Sequence, residues 1–60
     1  MEKLVIMDYG TNPGEVHIYD VAPDADINED YIEKLGFSLN TCSWMFSPRL
    51  DIIHHKGVLK

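Results

Sequence analysis

The stretch SPRLDIIHHKG, residues 47–57, decides how many strands this chain of 60 residues builds. Its first four residues offer a tight turn with Pro48 in the second position, where a φ fixed near −65° is accommodated. The run that follows, LDIIHHKGVLK (50–60), reads as a strand interrupted at Gly57. The run before it, TCSWMFS (41–47), is β-branched and aromatic in character and also reads as a strand. Together they predict a hairpin at the C-terminal end of the sequence. If Ser47 pairs with Leu50 across the turn, Cys42 lies opposite His55.

Working outward, KLVIMDY (3–9) is short and rich in apolar residues, and EVHIYDV (15–21) alternates Val16 and Ile18 with His17 and Tyr19. Both patterns suit strands. GTNPG (10–14) joins them, with two glycines able to take positive φ and an Asn-Pro step that favours a turn. A register pairing Tyr9 with Glu15 sets Met7 against His17, Val5 against Tyr19 and Ile6 against Ile18. Register is the sensitive quantity, because a slip of one residue sends every side chain to the other face.

Between the two hairpins lies DINEDYIEKLG (26–36). Asp26 with Glu29 three residues on resembles a capping box. Acidic residues fill the first turn and Lys34 the last, as the helix dipole favours. Gly36 is placed to stop the helix. Ile27, Tyr31, Ile32 and Leu35 form one stripe, with Glu29, Asp30, Glu33 and Lys34 facing water. So short a helix is not stable alone and must dock on a sheet. The expected fold is therefore a single α+β domain over residues 1–60, in the order ββαββ: an antiparallel sheet of two hairpins with one short helix packed on one face.

One helix covers one face. Leu4, Ile6, Val16 and Ile18 are the expected inner set of the first hairpin. The opposite set, Val5, Met7, Tyr9, His17 and Tyr19, is not polar, whereas a solvated sheet face normally is. An uncovered apolar face of this kind marks an interaction surface, so these five residues are the expected partner interface.

Composition narrows the partners. Ten acids against five Lys or Arg give a net charge of −5, which opposes nonspecific binding to nucleic acid. The imbalance is concentrated: residues 1–33 hold nine acids and one lysine, a sum of −8, and residues 34–60 hold one acid and four bases, a sum of +3. The two halves attract each other, or the acids from Asp20 to Glu33 meet a basic partner in the manner of a nucleic-acid mimic. No stretch reaches the length of a membrane span, and MEKLVIMDYG has too short an apolar run for a secretory signal. The lone Cys42 excludes an intramolecular disulfide and suits a reducing, cytoplasmic setting.

Chemistry-bearing residues are few. Cys42, His17, His54 and His55 match a zinc site in number. Their spacing does not, since there is no CxxC or HxxxH, and adjacent strand residues such as His54 and His55 point to opposite faces. Cys42, His17 and His55 are the only metal candidates, and no cofactor is expected. A Cys42–His55 thiolate–imidazole pair lacks a third orienting group and a cleft, so the chain is not read as an enzyme. A histidine at an apolar interface would instead make that interface pH-sensitive. The aromatic residues serve as core or interface anchors rather than base-stacking platforms, because few cations interleave them. The expected function is a small non-enzymatic protein-interaction domain, a homodimer or a binder of another protein. The alternatives are a metal- or ligand-binding protein using Cys42 and the histidines, and an acidic mimic.

Overall fold

The computed structural model describes residues 1–59, which form three strands and one helix: β1 (Glu2–Asp8), β2 (Glu15–Val21), α1 (Glu29–Lys34) and β3 (Cys42–Ser47). The α+β class holds, but the order is ββαβ, with one hairpin rather than two. The sheet order is β2-β1-β3, and β1 runs antiparallel to both neighbours. β2 and β3 are thus parallel to each other, with β1 between them, and α1 lies in the crossover that connects them. No helix among the described residues is long and apolar enough to cross a membrane.

The expected fourth strand does not form. Residues 50–59 carry no strand, and Lys60, its last expected residue, lies outside the described part. The reason is Pro48. Two-residue hairpin turns of the kind that match strand twist need positive φ at their first central position. Proline is locked near −65°, and among the described residues none other than glycine has positive φ. The chain bends at Pro48 and Arg49, where the Ser47 hydroxyl donates to the Arg49 carbonyl at 2.6 Å, but it does not return along β3.

The first hairpin forms with its register displaced by one residue from expectation. Asp8 pairs with Glu15, Ile6 with His17, Val5 with Ile18 and Leu4 with Tyr19. This register brings Lys3 opposite Asp20, and the two form an ion pair. Neither Gly10 nor Gly14 takes positive φ. Gly10 is needed for another reason: a Cβ there would lie 2.7 Å from Thr41 Cβ. That close approach accompanies the Tyr9 N–H to Thr41 carbonyl bond, 2.9 Å, which continues the β1–β3 pairing. Asp8 anchors the loop by accepting from the Gly10 N–H at 2.9 Å.

The helix starts two residues later than expected. Asn28, not Asp26, is the N-cap, and its side-chain oxygen accepts from the Tyr31 N–H at 3.0 Å. Gly36 ends it at φ 102°. Its N–H donates to the Glu33 carbonyl and that of Phe37 to the Ile32 carbonyl, the two bonds of a Schellman motif. Phe37 then packs on the core cluster that contains Ile32, which supplies the hydrophobic contact of the same motif.

The core lies between α1 and the sheet: Leu4, Ile6, Val21, Ile32 and Cys42, flanked by Tyr19, Trp44, Phe46 and Phe37 among others. Ile32 is the single buried residue of the helix, and Leu35 is exposed. Val16 and Ile18, expected inside, lie outside, because the displaced register reverses β2 relative to β1.

Candidate functional site

Alternation and register sort the side chains into two faces. Toward the helix stand three cross-strand rows: Tyr19–Leu4–Phe46, His17–Ile6–Trp44 and Glu15–Asp8–Cys42. Away from it stand Asp20–Lys3–Ser47, Ile18–Val5–Met45 and Val16–Met7–Ser43. This second face is the open one, and its centre is apolar.

The helix and its core cluster lie on the other side of the sheet. Val5 is 6% exposed although no helix covers it, because Ile18 and Met45 flank it directly. The residues around it remain open to water: Met7 44%, Ile18 45%, Met45 47% and Val16 66% exposed. One end of the patch is closed by the Lys3–Asp20 pair, the only charged residues whose register positions fall on this face. The Lys3 ammonium holds the Asp20 carboxyl below the usual aspartate range, first by its hydrogen bond and then by its charge.

The five expected interface residues are divided between the faces. Val5 and Met7 lie on the open face, and Tyr9, just beyond β1, is exposed. His17 and Tyr19 lie on the helix side. The His17 ring stacks on Tyr19 with centroids 6.5 Å apart, meets Phe37 edge-on at 5.0 Å, and places Nε2 3.1 Å from Glu15 Oε1. It is a packed side chain with a polar tip, on the face opposite the one expected. Val16, Ile18 and Met45 complete the patch in place of His17 and Tyr19. The signal that could have found them is the Lys3–Asp20 match, since opposite charges directly across strands favour one register over its neighbours.

The expected Cys42–His55 juxtaposition depended on the fourth strand. In its absence Cys42 is buried opposite Asp8, and His54 and His55 are exposed in the C-terminal segment. Among the described residues no three His, Cys, Asp or Glu side chains converge to hold a metal, and no pocket opens. The acids of α1, Glu29, Asp30 and Glu33, are exposed on the helix. No protein-family model, curated protein or solved structure matches this chain.

Proposed function

We propose that this chain is a non-enzymatic protein-interaction domain that self-associates through the open sheet face of Val5, Met7, Val16, Ile18 and Met45. The observation that carries the reading is this contiguous apolar patch on a sheet whose other face already has its helix. A second copy is the favoured occupant because the face is electrically balanced. Lys3 and Asp20 neutralise each other there, so two such faces meet without the repulsion that a net charge of −5 imposes elsewhere. A reducing, intracellular setting belongs to the same reading, since Cys42 has no second thiol to pair with.

Size sets the expected strength. Three strands about 4.8 Å apart and about seven residues of about 3.4 Å each give a flat footprint of roughly 300 Å². Stable interfaces bury about 800 Å² on each partner, so this face by itself supports weak, reversible association. Sedimentation equilibrium from micromolar to millimolar concentration tests it. Met45→Lys, which places a cation in the central row, abolishes association through this face while leaving the circular dichroism unchanged. A chain that stays monomeric over the whole range, or a Met45→Lys variant that associates as the unaltered chain does, refutes the proposal.

A further inference from the structure

The C-terminal segment and the edge of β2 are each left unsatisfied, and their chemistry matches. Every residue from Asp51 to Leu59 is exposed, with Ile52 at 63% and Ile53 at 74%. Among the described residues, none from 50 to 59 makes a backbone hydrogen bond. The segment stands away from the body. The radius of gyration is 13.1 Å, where a compact chain of this length gives about 10 Å. The accessible surface is 5060 Å², where a compact monomer of this size gives about 4000 Å².

The segment nevertheless has a strand's composition. Leu50, Ile52 and Ile53 are apolar, two of them β-branched, and the run ends at Gly57, whose φ is 92°. That leaves seven residues, 50–56, the length of β2. β2 is an edge of the sheet, and among the described residues no backbone bond beyond its pairing with β1 reaches it. Such an edge presents alternate N–H and C=O groups to any added strand. Pro48 opposes a tight return of the segment along β3 of its own chain, which leaves its backbone groups available to a second copy.

We infer that residues 50–56 of one copy add as a fourth strand to the β2 edge of a second copy. Charge selects β2 over the other free edge. Apart from the Asp20 that Lys3 already neutralises, β2 begins with Glu15 and leads into Asp24 and Asp26, whereas β3 (Cys42–Ser47) has no charged residue. The incoming segment is flanked by Arg49 and Lys56 against a single Asp51. A second copy supplies both halves of the contact, so two chains satisfy two tails and two edges together. This interface uses the edge of the sheet and does not rest on the open-face reading.

The test uses the full chain and Ile53→Pro, which locks φ near −65°, removes a backbone N–H in the middle of the segment and touches no core residue. Sedimentation and amide hydrogen exchange are measured at matched concentrations. Association of the proline variant weakens by about tenfold or more, and the slow exchange of outward β2 amides in the assembled chain is lost. An unaltered chain that remains monomeric overturns the inference. So does an Ile53→Pro variant that associates as tightly as the unaltered chain, or protection that appears on the β3 edge instead. Met45→Lys separates the two interfaces. If it leaves association intact while Ile53→Pro dissolves it, the open-face proposal fails and strand addition stands. The reverse pattern overturns strand addition alone.

Discussion

Replacing Ile32 by alanine measures how much of this fold depends on one helical side chain. Ile32 is fully buried, and it is the only residue of α1 that is. It packs in the cluster with Leu4, Ile6, Val21 and Cys42. The substitution removes three carbons and leaves intact the backbone bonds that the Ile32 carbonyl accepts from Leu35 and Phe37. At about 0.8 kcal/mol per buried methylene, the transfer loss is about 2.4 kcal/mol. The cavity left behind adds to it, within a usual span of about 2–5 kcal/mol for such truncations. A domain of this length has roughly 3–9 kcal/mol of stability in all. A loss of about 3 kcal/mol lowers Tm by about 12–24 °C in so small a domain. A six-residue helix has no stability of its own to fall back on, so the sheet's inner face loses its cover as one unit. Urea and thermal melts followed by circular dichroism and Trp44 fluorescence supply the measurement. Ile32→Val, which keeps most of the side chain, costs about 0.5–1.5 kcal/mol. Leu35→Ala, exposed on the same helix, costs little. An Ile32→Ala loss below about 1 kcal/mol, or one equal to that of Leu35→Ala, refutes the placement of the helix on the sheet.

Three glycine variants should rank by cause when melted in parallel. Gly10→Ala drives a fixed Cβ into Thr41 and costs about 1–3 kcal/mol, Gly36→Ala has open space but the wrong φ and costs about 1–2 kcal/mol, and Gly14→Ala meets ordinary contact and stays within about 0.5 kcal/mol. The depressed Asp20 carboxyl contributes stability that is present above its unfolded pKa and lost as pH falls through the folded value; carboxyl NMR titration should show the depression abolished in Lys3→Met and weakened by salt, and an unmoved midpoint would count against the pair. Exchanging Pro48-Arg49 for Asn-Gly supplies a turn that permits positive φ at both central positions, so the amides of residues 50–56 should become protected in the monomer, and unchanged exchange would show that proline is not what holds the segment open.

The elements of this fold were legible where a local pattern has one physical meaning. Residues 3–9 and 15–21 read as strands, and β1 (Glu2–Asp8) lies one residue earlier than the first while β2 (Glu15–Val21) matches the second; Gly36 reads as a helix stop and sits at φ 102°. Quantities that depend on a single residue's displacement were not. The hairpin register hung on where the six-residue loop between Asp8 and Glu15 begins, and GTNPG gives no unique answer. One residue of slip moved Val16 and Ile18 to the open face and His17 and Tyr19 to the inner one. The cap moved from Asp26 to Asn28 for a similar reason: both side chains offer an acceptor, and the core contacts of Ile27 and Ile32 decide between them. Those residues occupy the positions of a hydrophobic staple only if Asn28 is the cap.

The open face follows from the composition of β1. A central strand is buried on both sides and reads as an uninterrupted apolar run, and Leu4, Val5 and Ile6 are buried in succession. An edge strand keeps alternation, as β2 does, with only Val21 buried. A run such as LVIM therefore implies neighbours on both edges and apolar contact on both faces. The chain meets the first demand with β2 and β3. For the second it has one six-residue helix, which covers one face. The remaining apolar side chains that could have closed the other face, Ile52, Ile53, Val58 and Leu59, lie beyond Pro48 and stay exposed. In a chain this short, which buries only about 60% of its unfolded surface even when compact, leaving both a face and a tail uncovered is costly for an isolated copy. A second copy can relieve both costs, its open face covering the open face and its edge pairing the tail.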